Sequence, residues 1–200
     1  MSEQRRFEDV LSHILPKSHV CGRQKIQASL RMESDLDVEA RDALRKYSAF
    51  ESQGYKDGRH LNKNLRNNAE WSNNLDHAFV WTVKRPIILW RGWNETQPPV
   101  NHIYDYYLSC SMVGRIARKF AGDRGTVTAI LVPLGTKIAY PMDVWRSVIE
   151  LETRNRGITQ YTKTACIVKY EAEIILPRGI KLTEIHSENI GKRRLSVMSM

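Results

Sequence analysis

The first eighty residues carry hydrophobic positions at helical spacing, interrupted by breakers. After Ser34, acidic residues come first and the basic pair Arg45 and Lys46 follows, as a helix favours because these charges oppose its dipole. Residues 1–31 are broken by Pro16 and are expected to form short helices or a loosely packed arm. The helices predicted in this part cover residues 34–50, 59–68 and about 70–80.

Beyond residue 84 the pattern changes to short apolar runs bounded by Gly and Pro, which predict strands. A short amphipathic helix is predicted over residues 112–121, with Ile116, Ala117 and Phe120 on its inner face. Helices that come first and strands that come later favour an α+β fold over alternating βαβ units. The predicted strands are PIILWR (86–91), the end of HIYDYYLSCS (102–111), TVTAILVPL (126–134), TKIAYP (136–141), TACIVKYEAEIIL (164–176) and IKLTEI (180–185).

The length of 200 residues fits a single domain with a hydrophobic core. No apolar stretch reaches membrane-span length and no secretory signal is visible, so a cytoplasmic protein with no membrane partner is expected. The cysteines are far apart and the histidines lack ligand spacing, so reduced thiols and no metal are expected. The expected parts are an N-terminal arm (1–31), a helical part (32–83), a β-rich core (84–190) and a basic tail (191–200).

The net charge gives a first indication of a partner. The chain has 31 basic and 22 acidic residues, which give a formal net charge of +9. This excess favours an anionic partner: a phosphate-bearing ligand, an acidic protein or nucleic acid. The basic residues are dispersed, so a solvated surface explains most of them, and the terminal Lys192-Arg193-Arg194 is given no specific role.

The segment EAEIILPRG (171–179) has the pattern with the most chemical content. In a strand, residues i and i+2 point to the same face, so Glu171 and Glu173 are expected to share one side. Two neighbouring carboxylates that lose hydration repel each other, which is costly unless cations or hydroxyl groups compensate. For an isolated Glu-x-Glu a solvated strand edge is the simpler interpretation. A functional role for the two carboxylates therefore depends on what the rest of the chain supplies.

Two upstream segments supply such groups. Arg91 ends an apolar strand with a forked guanidinium that suits pyrophosphate, and Gly92 after it would let a ligand approach the backbone. In LSCS, Ser109 and Ser111 alternate in strand phase and face one way, so Ser109 can hydrogen-bond a carboxylate in a cleft. The simpler interpretations are a salt-bridged arginine at a strand end and serines that cap the next helix.

In this order, WRG (90–92), SCS (109–111) with IARKFA, and EAEIILPRG resemble the mono-ADP-ribosyltransferases of the Arg–Ser–Glu class, the toxin-like and phage-type enzymes. The family pattern is aromatic-Arg-Gly, then Ser-Thr-Ser with a following Ala and Phe, then Glu-x-Glu before an apolar strand. The resemblance spans roughly residues 44–185, and the ordered spacing is more specific than any single motif. It implies two packed, mainly antiparallel sheets around an NAD cleft, with N-terminal helices.

The resemblance also implies that NAD is the co-substrate and that the bond between nicotinamide and ribose is cleaved. Positive charge then builds on the ribose, and a fixed carboxylate stabilises it. This role falls to Glu173, held by Ser109, while Arg91 anchors a phosphate and the backbone of Gly92 reads the nicotinamide amide. The expected NAD-binding residues are Arg91, Gly92, Ser109, Ser111 and Phe120.

Glu171 is expected to act on the acceptor. In the family the first glutamate prepares an arginine, whose guanidinium is a poor nucleophile because it is always protonated. The implied partner is a target protein with an accessible arginine, and an acidic or nucleic-acid-associated complex is a further candidate. Three alternatives stay open: an NAD glycohydrolase with water as acceptor, an enzyme that modifies nucleic acid, and a basic binding protein without catalysis.

Overall fold

The computed structural model of the chain describes residues 10–52, 68–94, 101–146 and 160–200. The helices are α1 (Arg23–Gln27), α2 (Val38–Ser52), α3 (Ala69–Asp76), α4 (Gly114–Ala121) and α5 (Gln160–Glu171). The strands are β1 (Leu30–Met32), β2 (Trp81–Val83), β3 (Ile87–Trp93), β4 (His102–Tyr104), β5 (Leu108–Ser111), β6 (Thr126–Val132), β7 (Lys137–Ile138), β8 (Glu173–Leu176), β9 (Ile180–Ile190) and β10 (Arg193–Ser199). Residues 10–14 and 142–146 are also helical. None of the described helices is long and apolar enough to cross a membrane.

Helices α2 and α3 begin at side-chain caps. In α2, Asp37 Oδ1 accepts a hydrogen bond from the backbone N–H of Ala40 at 2.6 Å. In α3, Asn68 Oδ1 accepts one from the N–H of Trp71 at 3.0 Å. Such caps satisfy N–H groups that the first turn of a helix leaves unpaired. The sequence predicted both helices. A further helix was predicted at 59–68, and of these residues the structure describes only Asn68.

The strands form two sheets whose pairings are mainly antiparallel. The smaller sheet has the order β1-β2-β7, and the larger one the order β4-β9-β10-β6-β3-β5-β8. Among the described strands, only β6 and β10 pair in parallel. Strand β8 links the sheets, because Ile175 exchanges two backbone hydrogen bonds with Ala139, directly after β7. With the helices before them, these sheets confirm the predicted α+β fold.

The larger sheet is covered on both faces, which explains why its strand β6 is buried at every position. One face carries the main hydrophobic core, shared with α2, α3 and the smaller sheet. The other face packs against α4 and residues 10–15, whose apolar side chains contact a second cluster around Trp90 and Val127. Part of the expected N-terminal arm is therefore docked on the sheet.

Residues 191–200 are not the basic tail that the sequence predicted. Most of them form β10, a strand inside the larger sheet between β9 and β6. Leu195 and Val197 are completely buried, and Arg194 forms an ion pair with Glu184 at 2.8 Å. The prediction gave weight to the basic residues at the start of the segment and overlooked the apolar residues that follow. Burial of these apolar residues between two strands stabilises the structure.

Residues 164–176 are not one strand, although their β-branched residues predicted it. Helix α5 continues to Glu171, Ala172 takes the left-handed conformation with φ 50°, and β8 begins at Glu173. The N–H of Ala172 still donates to the carbonyl oxygen of Val168 at 3.1 Å, which is helical spacing. Val168 is buried between exposed neighbours, so packing of one helix face outweighs β propensity here.

Helix α4 crosses directly over β3 at a glycine. A Cβ on Gly92 would lie 1.9 Å from the carbonyl oxygen of Ala117 and 2.6 Å from the nitrogen of Ala121. Helix packing therefore requires this glycine, whereas the sequence suggested close approach of a ligand. Phe120 is 54% exposed, so its predicted place on the inner face is wrong; Ile116, Ala117 and Ala121 form that face.

Gly92→Ala should lower the free energy of unfolding by about 1–3 kcal/mol or more, because the new methyl group overlaps backbone atoms that cannot rotate away. Urea unfolding followed by circular dichroism measures this. The matched control is Gly114→Ala, whose Cβ would lie 3.3 Å from the Trp90 ring, a tight contact with a side chain rather than an overlap with backbone atoms. A Gly92→Ala protein as stable as the control would contradict the packing role.

Candidate active site

The larger sheet opens between β3 and β5. Strand β3 pairs with β6 over all seven of its residues. It pairs with β5 at one position, where Trp90 lies opposite Ser111. The two strands are therefore not paired beyond Trp90, at Arg91 and Gly92, and we call this gap in the sheet the split.

Arg91, Ser109 and Glu173 form a continuous chain of hydrogen bonds across this split. Arg91 Nη1 donates to the carbonyl oxygen of Ser109, and Ser109 Oγ donates to Glu173 Oε1 at 2.5 Å. The strand register explains the second bond. Glu173 lies opposite Ser111 in the antiparallel pair of β5 and β8, and Ser109 is on the same face as Ser111. Three segments that are far apart in sequence thus meet at one place.

Glu173 is a buried carboxylate. Only 3% of it is exposed. It is the first residue of β8, and the apolar residues after it, 174–176, belong to the main core. A carboxylate that has lost its water needs hydrogen-bond donors from the protein in exchange. The Ser109 hydroxyl is one such donor.

Glu171 does not share a strand face with Glu173, so that prediction is wrong. Glu171 is the last residue of α5 and is half-buried. The left-handed residue Ala172 turns the chain between the two glutamates. This turn, rather than the alternation of a strand, sets the directions of the two side chains.

Ser111 connects the end of α5 to the start of α4. Its hydroxyl donates to the carbonyl oxygen of Glu171 at 2.6 Å and accepts from the N–H of Val113, the residue before α4, at 3.0 Å. Ser111 does not cap α4, whose N-cap is Val113 and has no side-chain cap bond, so the helix-capping interpretation is wrong for it. Ser109 makes the expected bond to a carboxylate. Both helix ends are held beside the split.

Trp93 orients Arg91, a role that the sequence did not assign. The Cζ atom of Arg91 lies 4.7 Å from the centre of the Trp93 ring, and Trp93 Nε1 donates to Thr128 Oγ1 at 3.0 Å. A guanidinium over an indole face is attracted to it, so Arg91 is held between this ring and Ser109. Arg91 Nε is buried and has no hydrogen-bond partner in the described part of the chain.

A cluster of aromatic side chains extends from Trp93, next to Arg91. The ring of Tyr104 lies 6.2 Å from that of Trp93 and 5.3 Å from that of Tyr106. Burial raises the pKa of Tyr104 well above its ordinary value. The spacing of Trp93 two residues after Arg91, on the same strand face, was the available sequence signal for this cluster.

Tyr107 attaches the start of β5 to the helical layer. Its hydroxyl lies 2.6 Å from Asp76 Oδ1 and 2.8 Å from the carbonyl oxygen of Ser72, both in α3. Arg178 donates to the same Asp76 carboxylate from the turn after β8. Burial and the hydrogen bond to Asp76 raise the pKa of Tyr107. This attachment fixes the strand that carries Ser109 two residues later.

Several solved structures resemble the fold of this protein over most of the chain. An ADP-ribosyltransferase of the C3 type from Clostridium botulinum is 14% identical with a TM-score of 0.56, over 84% of this chain and 89% of that one. The C3 exoenzyme of Clostridium limosum is 15% identical with a TM-score of 0.56, over 92% and 98%. A C3-type protein from S. aureus, solved with NAD, is 14% identical with a TM-score of 0.53, over 90% and 96%.

The chain has the ADP-ribosyltransferase fold. At the sequence level no protein-family model matches it, and no curated protein matches it either. The resemblance to these structures therefore lies in the shared order and packing of helices and strands, which confirms the fold that the three motifs predicted.

The residues of this ADP-ribosyltransferase fold fit NAD chemically. The buried Arg91 Nε carries an N–H that can donate a hydrogen bond to a phosphate oxygen. A carboxylate has several acceptor positions, so Glu173 can bind Ser109 and a ribose hydroxyl together. Among the described residues no group of three or more His, Cys, Asp or Glu side chains is placed to hold a metal ion.

The raised pKa values of Tyr104 and Tyr107 predict a loss of stability in alkali. The folded state keeps both phenols neutral, whereas the unfolded chain ionises them near pH 10. The contribution of the two neutral phenols to the free energy of unfolding is therefore complete below about pH 10. It falls as the pH rises towards their folded-state pKa values.

Tyr107→Phe should cost about 1–2 kcal/mol at neutral pH, because Asp76 and the Ser72 carbonyl lose a donor. The difference from wild type should shrink above about pH 10, where the wild-type phenol itself favours unfolding. Urea unfolding at both pH values measures this. A difference that stays constant with pH would show that Tyr107 titrates alike in both states.

Proposed function

We propose that the chain is an NAD-dependent mono-ADP-ribosyltransferase that moves ADP-ribose to an arginine of a target protein and releases nicotinamide. The observation that carries the proposal is the hydrogen-bonded chain of Arg91, Ser109 and Glu173 at the split between β3 and β5. The order of the three motifs supports it, as does the fold shared with the S. aureus protein that was solved with NAD.

The reaction exchanges one C–N bond for another. The bond between C1′ of the ribose and the nicotinamide nitrogen breaks, and its electron pair leaves with neutral nicotinamide. A guanidinium nitrogen of the acceptor forms the new bond to C1′ and loses a proton. The products are nicotinamide, ADP-ribosyl-arginine and a proton, so no oxidant or reductant is consumed.

Glu173 stabilises the positive charge that develops on the ribose. Its burial makes the interaction stronger than it would be in water, because the local dielectric is low. Ser109 fixes one carboxylate oxygen by its hydrogen bond, so the charge needs little reorganisation during the reaction. The same glutamate hydrogen-bonds a ribose hydroxyl.

The other NAD contacts come from the edges of the split. Arg91 directs its unpaired Nε–H to the pyrophosphate. The peptide groups of Gly92 meet the nicotinamide amide, while α4 covers the side where a Cβ would lie. Phe120 is exposed and open to a ligand. Ser111 supports the site indirectly, through the carbonyl of Glu171.

Glu171 prepares the acceptor arginine. It sits at the junction of α5 and β8, two positions before Glu173, and is half-buried rather than enclosed. A carboxylate there binds the acceptor guanidinium and takes its proton as the new bond forms. The fixed carbonyl of Glu171 keeps the residue beside the site.

Glu173→Gln should reduce both ADP-ribose transfer and NAD hydrolysis by about 10²–10³-fold, because one preorganised electrostatic stabiliser is removed. Glutamine keeps the shape of the side chain, so the fold should be retained. Nicotinamide release measures the loss. The control is Glu33→Gln, which removes an ion pair with Lys84 on the smaller sheet and should leave turnover unchanged. Near wild-type turnover in Glu173→Gln excludes the assignment.

Glu171→Gln should separate the two activities. Transfer to arginine should collapse, while slow NAD hydrolysis survives because Glu173 and Ser109 are intact. Nicotinamide release and labelling of arginine amide are measured in parallel on one preparation. If both activities fall together, Glu171 supports the NAD site. If neither falls, Glu171 does not prepare the acceptor. If wild type releases nicotinamide but does not label arginine amide, arginine is not the acceptor, and water, another side chain or nucleic acid takes its place.

A further inference from the structure

A basic surface lies beside Glu171 and has no part in the NAD site. It consists of Arg115 and Lys119, one turn apart on the exposed side of α4, and Tyr170 at the end of α5; we call it the α4–α5 patch. Arg115 Cζ lies 5.8 Å and Lys119 Nζ 5.7 Å from the centre of the Tyr170 ring. Tyr170 is 51% exposed.

The patch is fixed relative to the acceptor glutamate. Tyr170 directly precedes Glu171, whose carbonyl oxygen accepts a hydrogen bond from the Ser111 hydroxyl. That hydroxyl in turn accepts from the N–H of Val113 at the start of α4. The Ser111 hydroxyl therefore links the two helix ends. The Tyr170 ring attracts both cations and holds them over its surface, so the charges are arranged before any partner binds.

These charges conflict with an arginine acceptor unless the target compensates. The acceptor guanidinium is a cation and must come to Glu171, next to two further cations. Exposed charges interact over about 8 Å in physiological salt, which corresponds to two or three residues of an extended chain at about 3.3 Å per residue. Acidic residues at that distance from the acceptor remove the repulsion and bind the patch.

We infer that the α4–α5 patch selects target arginines that are flanked by Asp or Glu two or three residues away. The inference depends on arginine transfer as the activity of the site and adds the class of target sequence. A protein segment fits better than single-stranded nucleic acid, which binds by stacking bases on open aromatic rings. The Tyr170 ring is already occupied by two cations, so the patch offers charge and little stacking surface.

The test compares two synthetic peptides, each with a single arginine. In one peptide Glu stands two and three residues from the arginine, and in the other Gln stands at the same positions. Wild type should use the Glu peptide with a kcat/KM about tenfold higher, since two exposed ion pairs contribute modestly. High salt should reduce the preference. The double variant Arg115→Glu, Lys119→Glu should lose or reverse it while nicotinamide release without acceptor stays unchanged.

The matched control is Lys17→Glu, Lys181→Glu, which changes two exposed lysines outside the site. Each substitution removes two charge units, so both double variants have a formal net charge of +5 instead of +9. The control should keep the wild-type preference, which separates the patch from the overall charge. Tyr170→Phe should also keep it, and Tyr170→Ala should weaken it.

Each contrary outcome has its own meaning. Equal use of both peptides by wild type, or a preference that survives Arg115→Glu, Lys119→Glu, overturns the patch while arginine transfer stands. Nicotinamide release with no label on either peptide or on arginine amide rejects the arginine acceptor, and the patch inference with it. Labelling of a single-stranded oligonucleotide in preference to the Glu peptide, lost in the patch variant, shows that nucleic acid is the partner instead.

Discussion

The hydrogen bond from Ser109 to the buried carboxylate of Glu173 is the interaction on which the site depends. Removing a carboxylate from water is expensive, and the cost is tolerated where the protein supplies donors in fixed positions. Strand β5 supplies this donor, and its position is set by β8 on one side and by the attachment of Tyr107 to α3 on the other. The chemistry of the site therefore rests on strand packing well outside it.

The split in the larger sheet is the second constraint. β3 is paired along its whole length with β6, which holds Arg91 and Trp93 rigidly, while its pairing with β5 stops after one position. The side chain of Arg91 reaches across to the Ser109 carbonyl in place of the missing ladder. Arg91 and Ser109 are thus held on paired strands, so the arrangement proposed for catalysis is preorganised.

Helix α4 serves both the fold and the inferred selection of targets. Its inner face lies so close to β3 that Gly92 has no room for a Cβ. Its exposed face carries Arg115 and Lys119 beside Tyr170. Because Ser111 links the start of α4 to the end of α5, a shift of the helix would move the proposed NAD site and the α4–α5 patch together.

The sequence alone determined the α+β class, the helices near residues 38–52 and 69–76, and the three motif segments, because these depend on local spacing and on residue types. Tertiary structure decided the rest. The sequence predicted a basic tail at Arg193 and Arg194, but the apolar residues that follow them pair with β6 and β9 in the larger sheet. Thr164 to Glu171 has β propensity yet forms a helix. Trp93 and Thr128 meet only through the register of β3 and β6. Such contacts join residues distant in sequence, whose burial outweighs local preference.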